Sequence, residues 1–202
     1  MSPVDLDDAR GRTIPDVLPG PDDPPLRVLF CGINPGLTSA ATGHHFARPG
    51  NRFWPALHGA GFTPRQLRPD EQHLLSSLGL GITNIVPRAT ARADELSPAE
   101  LVTGGAALRD LVRDLRLGAL GPIALGVVGI TAYRVAFAAP RAAVGLQPAW
   151  GTTLVWALPN PSGLNAHWSL PAMVAEFTRF RLAAAARSEL SDPSKTPGHP
   201  RS

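Results

Sequence analysis

Short apolar runs alternate along this chain with stretches that have the periodicity of an amphipathic helix. The apolar runs, which predict strands, cover residues 28–31, 81–86, 123–128 and 152–158. The helical patterns lie between and after them, at residues 52–60, 101–115, 132–138 and 173–180. Alternating strands and helices predict a mostly parallel sheet with helices on both faces. The expected fold class is therefore α/β, a three-layer α/β/α sandwich with a central, mostly parallel sheet.

Composition divides the 202 residues into a central domain and two polar ends. Residues 1–25 contain six aspartates, two arginines and six prolines, which is typical of a disordered segment. We therefore expect disordered tails at residues 1–25 and 188–202, and one folded domain over residues 26–187. A domain of that length can bury a full hydrophobic core.

Cysteine content, hydropathy and charge narrow the class of protein. Cys31 is the only cysteine, which excludes an internal disulfide and a cysteine-clustered metal centre, and its apolar neighbours predict burial. No apolar run is long enough to span a bilayer, and the first residues lack a signal-peptide pattern. We therefore expect a cytoplasmic enzyme that does not bind a membrane. The net charge of +3 permits a polyanionic partner such as nucleic acid without requiring one.

Three polar, irregular segments follow the predicted strands, at residues 32–51, 84–94 and 160–166. The carboxyl ends of parallel strands meet at one edge of a sheet, and ligands bind in the crevice outside that edge. We therefore expect the three segments to form a single cleft.

The first of these segments opens with GINPG, residues 32–36, in which Asn34 stands between glycines and a proline. Such a turn presents the asparagine amide rigidly, with one acceptor oxygen and two donor hydrogens. Two interpretations fit: a side chain that caps its own turn, or a fixed group that contacts a ligand. The motif lacks the Gly-Lys-Ser/Thr of a phosphate-binding loop.

The third segment begins with NPSGL, residues 160–164, which places a leucine at the tip of a polar loop. Leu164 is either a small core contact or an apolar wedge that enters a base stack. Phe46, in the first segment, is either a buried anchor or a platform on which a base stacks. The residues alone leave both choices open.

Taken together, the motifs resemble those of the mismatch-specific uracil-DNA glycosylases and their thymine-DNA glycosylase relatives, within the uracil-DNA glycosylase superfamily. The resemblance covers residues 26–187 and rests on FCGINPGLTSA, GHHFARPGNRFW, GITNIV and LPNPSGL, in the family's order. It implies a uracil-DNA glycosylase-like sandwich that flips a nucleotide out of mismatched double-stranded DNA. The enzyme would hydrolyse the N-glycosidic bond of uracil, and of thymine or modified pyrimidines, and leave an abasic site. The resemblance implies a monofunctional monomer in the bacterial cytosol or nucleoid, with no metal and no cofactor.

The resemblance also implies a role for each matching residue. Asn34 matches the catalytic asparagine that positions the attacking water, and Phe46 matches the aromatic that stacks on the flipped pyrimidine. Ser39 matches a small residue near the 5-position of the pyrimidine. The other residues expected in the base-binding pocket are Ile33, Gly36, His45, Asn84 and Asn160. The residues expected at the DNA wedge and backbone are Ser162, Gly163, Leu164 and Asn165.

Some positions mix the features of two family branches. His45 and Asn84 resemble the thymine branch, whereas residues 162–164 resemble the bacterial uracil branch. The mixture favours activity broader than strict G:U, including G:T. His45 is either an exposed loop residue or a donor to a pyrimidine carbonyl. Ala166 stands where the bacterial branch can have an arginine, which leaves mismatch selectivity open.

Asp94 stands where relatives often have an uncharged residue. A carboxylate near the cleft can orient or deprotonate water better than an amide can, so Asp94 is a candidate auxiliary base. The alternative is a solvated carboxylate just before the helix cap at Ser97.

A module that binds mismatched DNA without cutting it is the alternative function. Such a module would keep the wedge at Leu164 but lose the water site, and Asn34 argues against that loss. A nucleoside hydrolase would instead depend on an acidic metal cluster, and the sequence has no such motif.

Overall fold

The computed structural model describes residues 6–117 and 123–190, in which a five-stranded sheet forms the centre. Its strands are β1 (Val28–Gly32), β2 (Leu80–Asn84), β3 (Ala124–Val128), β4 (Gly145–Trp150) and β5 (Thr153–Leu158). The strand order is β2-β1-β3-β5-β4, with β4 antiparallel to β5 and every other pair parallel. The predicted fold class is thus confirmed. The sequence analysis missed β4, an edge strand whose Pro148 is tolerated because an edge needs fewer hydrogen bonds.

The described residues form five α-helices, which cover the two faces of the sheet. They are α1 (Leu37–Thr42), α2 (Phe53–Gly59), α3 (Pro98–Leu117), α4 (Ile130–Ala136) and α5 (Leu170–Leu190). Short 3-10 helices add Asp7–Ala9, Pro69–Leu78 and Ala93–Glu95. The segment 32–51, predicted as irregular, therefore contains α1. No helix in the described residues combines the length and the apolar character needed to cross a membrane.

The start of α3 shows how local sequence sets one of these elements. Ser97 N donates to Glu100 Oε2 at 2.9 Å, and Glu100 N donates to Ser97 Oγ at 3.2 Å. This reciprocal capping box satisfies donors that the first helical turn leaves free, and Pro98 occupies a position that needs no donor. The predicted cap is confirmed.

Side chains of the central strand β1 alternate between the two faces of the sheet, and each face belongs to a separate core layer. In β1, Phe30 packs against Phe53 of α2 and Phe180 of α5, with ring centroids 5.4 and 5.8 Å apart. Its neighbours Leu29 and Cys31 point to the opposite face, in the cluster formed with α3 and α4. Both faces of β1 are fully buried, which explains its continuous apolar sequence.

The N-terminal segment differs from the prediction of a disordered tail. Over residues 6–25 it packs against the domain, and both Ala9 and Ile14 are buried. Val17 pairs with Ile82 of β2 through hydrogen bonds of 2.8 and 2.9 Å. A few apolar residues among many charged ones anchor this segment. The composition averaged over the segment does not reveal them. The domain therefore begins before residue 26.

The other predicted tail is only partly described. Helix α5 continues to Leu190, so the first three residues of the segment 188–202 are helical. Residues 191–202 lie outside the described residues.

Helix α3 approaches the chain after β2 so closely that only glycine fits at Gly104. A Cβ added there would lie 2.1 Å from Ile85 O. Alanine normally favours a helix interior over glycine by about 1 kcal/mol. Here the clash with a backbone carbonyl outweighs that gain, so we expect Gly104→Ala to lower the free energy of unfolding by about 1–3 kcal/mol. Urea unfolding followed by circular dichroism measures the change.

Ala107, exposed on the same helix, provides the matched control. Ala107→Gly reports helix propensity alone and should cost about 1 kcal/mol or less. A stabilising effect of Gly104→Ala would contradict the close approach of α3.

Candidate active site

A cleft of about 810 Å³ opens at the carboxyl edge of the parallel strands. The segments that follow β1, β2 and β5 all line it, as the sequence predicts. The residues predicted for catalysis and base binding line it together: Ile33, Asn34, Gly36, Ser39, His45, Phe46, Asn84, Asp94 and Asn160. Leu6 and Ile14 of the N-terminal segment also line the cleft, and the sequence analysis missed both.

Backbone pairing holds the segment around Asn34 in place. Beyond the end of the sheet, Ile85 N donates to Gly32 O at 2.9 Å. Further along, Thr90 N donates to Pro35 O at 3.1 Å. The chain after β1 therefore keeps the direction of its strand, and Asn34 sits between two fixed backbone contacts.

The Asn34 amide has a defined orientation. Its Nδ2 donates to Arg88 O at 3.0 Å and to Thr90 Oγ1 at 2.8 Å. The Thr90 hydroxyl donates its own hydrogen to Arg92 O at 2.7 Å, so it can only accept from Asn34. Both amide hydrogens are used, and Asn34 Oδ1 has no partner among the described residues. The amide oxygen is thus available as an acceptor at the cleft.

Phe46 has a backbone conformation that is unusual for an aromatic residue. Its φ is 54°, and its ring stacks on Phe53 with the centroids 4.0 Å apart. Ser39 Oγ accepts a hydrogen bond from Ala47 N at 3.1 Å, which holds the chain just after this strained position. Strain of this kind persists where surrounding contacts fix it, often at functional sites. Because Phe53 covers one face of the ring, a ligand can stack only on the face toward the cleft.

His45 corrects the expectation of an exposed loop residue or a direct donor to a pyrimidine. It is 2% exposed, and its Nε2 lies 3.0 Å from Pro15 O. A carbonyl oxygen only accepts, so Nε2 carries the hydrogen and Nδ1 is left as an acceptor. Asn84 Nδ2 lies 3.4 Å from that Nδ1. Both ring nitrogens are used within the protein, and burial lowers the pKa of His45 below its usual value.

The orientation of Asn84 follows from this contact. With Nδ2 directed at His45, Asn84 Oδ1 lies over Gly32, where an added Cβ would approach it to 2.5 Å. The same Cβ would lie 3.3 Å from the Phe46 ring. A larger residue at position 32 would therefore shift the Asn84 amide and crowd the Phe46 ring.

Asp94 lies at the rim of the cleft, on the 3-10 helix Ala93–Glu95, with an exposed side chain. Its carboxylate pairs with Arg92, whose Nε lies 3.0 Å from Asp94 Oδ1. This hydrogen bond and the positive charge lower the pKa of Asp94, so the group stays ionised near neutral pH. Across the described ranges, no three or more histidine, cysteine, aspartate or glutamate side chains are arranged to hold a metal ion.

The third segment forms a loop, residues 160–168, which we call the wedge loop. Asn160 Oδ1 accepts from Ser162 N at 3.0 Å, and Asn165 Nδ2 donates to Asn160 O at 2.9 Å. Both asparagines therefore shape the loop from within. Leu164 at its tip is 74% exposed, which is unusual for a leucine and inconsistent with a core contact.

The sequence analysis missed three residues that orient site side chains by direct hydrogen bonds. His45 is oriented by the carbonyl oxygen of Pro15. Asn34 is oriented by the carbonyl oxygen of Arg88 and the hydroxyl of Thr90. Carbonyl acceptors carry no sequence signal, because every residue has one.

Residues 19–184 match the family model described as the uracil DNA glycosylase superfamily. The match spans well over half of the chain and contains the five strands, the wedge loop and every residue that lines the cleft except Leu6 and Ile14. It begins before Leu26, in agreement with the packing of the N-terminal segment. The family removes uracil-type bases from DNA by hydrolysis of the glycosidic bond. The chain belongs to the uracil DNA glycosylase superfamily.

Proposed function

We propose that this chain is a mismatch-specific, monofunctional uracil-DNA glycosylase. It flips uracil out of a G:U pair in double-stranded DNA, cleaves the N-glycosidic bond and leaves an abasic site. Its substrates extend to thymine in G:T pairs and to modified pyrimidines. The monomeric state and the bacterial cytoplasm remain predictions of the same proposal.

The observation that carries the proposal is the orientation of the Asn34 amide. Because Arg88 O and Thr90 Oγ1 take both amide hydrogens, the oxygen that remains can accept a hydrogen bond from water. An amide does not titrate near neutrality, so it contributes position rather than proton affinity. A group held this firmly suits a reaction in which water must lie in line with the bond that breaks.

The reaction depends on this positioned water and on a tolerable leaving group. The water oxygen forms a bond to the anomeric carbon of the deoxyribose as the bond to the pyrimidine nitrogen breaks. The bonding electrons leave with the base as an anion, and the water loses a proton to solvent. Donors from the loops around the cleft can stabilise the departing anion.

Base selection depends on Asn84 and on the small residues beside it. Asn84 Oδ1 is an acceptor that fits the N3–H of uracil and thymine. Cytosine presents an acceptor at the same position and would be repelled. Ser39 is buried and small, which leaves room beside the pyrimidine 5-position and supports activity on thymine.

The surface around the cleft suits a damaged duplex. Leu164 can fill the space that the extruded nucleotide leaves and so restore stacking in the duplex. This stacking offsets part of the cost of flipping, which is roughly a few kcal/mol. Arg48 and Arg92, at the rim, can contact phosphates.

Removal of the Asn34 amide tests the proposal directly. We expect Asn34→Ala to slow uracil release from a G:U duplex by about 100-fold or more, because the water loses its position. Hot alkali converts the abasic product to a strand break, which a gel resolves. A gel shift with the same duplex should remain close to that of the wild type. A wild-type protein that binds the duplex without producing alkali-labile sites would instead be a mismatch-binding module.

Asp94 is the proposed auxiliary residue, which orients the water together with Asn34. We expect Asn34→Ala to retain weak activity that falls by a further tenfold, roughly, when Asp94→Ala is added. Because Arg92 lowers the pKa of Asp94, this residual activity should be constant from about pH 5 upward. Single-turnover assays across pH measure it. An unchanged residual rate in the double variant would remove Asp94 from the mechanism.

The buried, neutral His45 predicts a pH-dependent stability. Its folded pKa lies below the ordinary 6.5, so the unfolded chain takes up a proton first as the pH falls. The stabilising contribution is complete above pH 6.5 and is lost as the pH falls from there through the folded pKa. We expect the wild-type melting temperature to fall more between about pH 8 and about pH 5.5 than that of His45→Gln.

His73, an exposed histidine, provides the control for this measurement. His73→Gln should retain the pH dependence of the wild type. An equal fall in melting temperature for wild type and His45→Gln would contradict a neutral His45 ring in the folded protein.

A further inference from the structure

The guanidinium of Arg52 holds the wedge loop through hydrogen bonds to its backbone. Arg52 Nη2 donates to Ser162 O at 2.7 Å and to Asn165 O at 2.8 Å. Arg52 Nη1 donates to Trp168 O. The three acceptors are spread over most of the loop, so one planar group fixes its beginning, middle and end.

Backbone contacts add to this attachment. Arg52 N donates to Pro161 O at 2.9 Å, next to the first residue of the wedge loop. Gly163 lies against Gly50, and a Cβ added at Gly163 would lie 2.8 Å from Gly50 O. The chain before α2 and the wedge loop are therefore in direct contact at two backbone positions, Arg52–Pro161 and Gly50–Gly163.

Because Arg52 is charged, its stability in this position depends on the conformation of the wedge loop. Ion pairs in the described ranges do not include Arg52, so its side-chain hydrogen bonds all go to neutral carbonyls. Arg52 Nε is buried and, alone among buried side-chain nitrogen and oxygen atoms of the described residues, lacks a partner. A partly buried cation is stabilised only while its acceptors stay in place. Any loop conformation that moves the carbonyls away leaves the charge without compensation.

Arg52 also connects the two parts of the site that act on the base. It lies six residues after Phe46, the proposed stacking platform, and its carbonyl partners carry Leu164 at the tip of the wedge loop. Leu164 is 74% exposed and would gain by folding back onto the protein. A fixed loop prevents that collapse.

We propose that Arg52 is a positioning residue that holds the wedge loop in the conformation that inserts Leu164 into DNA. The inference rests on the proposed function, because it concerns the opening of a base pair before glycosidic cleavage. Arg52 is not among the residues that line the cleft. Its loss should therefore affect substrates in which a pair must be opened and spare those in which none exists.

The experiment compares two duplexes for wild type and Arg52→Lys. One contains uracil opposite guanine, and the other contains uracil opposite an abasic tetrahydrofuran residue, where no pair has to be opened. Lysine keeps the charge but cannot reach three carbonyls in one plane. We expect kcat/KM for the G:U duplex to fall by about tenfold or more, with the value for the unpaired uracil within about threefold of wild type.

Two variants calibrate this comparison. Leu164→Ala, which removes the wedge itself, should give the same split between the two duplexes. Arg181→Lys is the matched control, because Arg181 Nε also donates to a carbonyl, Ala60 O at 2.7 Å, on a helix face outside the cleft. It should change neither value by more than about threefold.

Gly163→Ala tests the same attachment without a change at Arg52, since the added methyl group forces the wedge loop away from Gly50. It should reproduce the split, and thermal melting checks that each variant is folded. Equal losses on both duplexes, or no loss in Arg52→Lys, would overturn the positioning role while wild-type activity remained. A wild type that releases no uracil from either duplex would overturn the proposed function as well.

Discussion

Hydrogen bonds between the segments that follow β1 and β2 determine the geometry around Asn34, the residue on which the proposed chemistry of the cleft depends. The contacts from Ile85 to Gly32 and from Thr90 to Pro35 continue the strand pairing after the sheet has ended. Backbone groups that are paired in this way cannot move independently. Asn34 acquires its orientation here, because its amide donors meet acceptors that belong to the second segment. The chemistry proposed for the cleft is therefore a consequence of sheet formation.

Features that depend on local sequence could be predicted. The four parallel strands follow from apolar runs, the start of α3 from its capping box, and the position of Asn34 from its place at the end of a strand. The short helix α1 was missed because six residues without a side-chain cap give almost no periodic signal. Strand β4 was missed because its residues alternate toward solvent and include Pro148, which is typical of a loop.

Features that depend on contacts between distant residues could not be predicted. The composition of the N-terminal segment predicts disorder because Ile14 and Val17 are diluted by aspartates and prolines, yet Ile14 packs in an apolar cluster and Val17 pairs with a strand. The sequence predicts an exposed His45 or one that donates to the base, but its two ring nitrogens contact Pro15 and Asn84. Arg52 belonged to a recognised motif and still carried no assigned role. Its partners are backbone oxygens, which are the same in every sequence.

The use of main-chain oxygens to hold residues 160–168 has an evolutionary consequence. Side chains in that segment are free to diverge except at Asn160, Gly163, Leu164 and Asn165, since the carbonyl oxygens that Arg52 contacts do not depend on residue identity. Substitutions such as the alanine at position 166 can accumulate while the backbone keeps its course. Lineages could thus acquire different lesion preferences by exchanging a few exposed residues on a constant frame. The same property makes this segment a suitable place to introduce diversity in directed evolution.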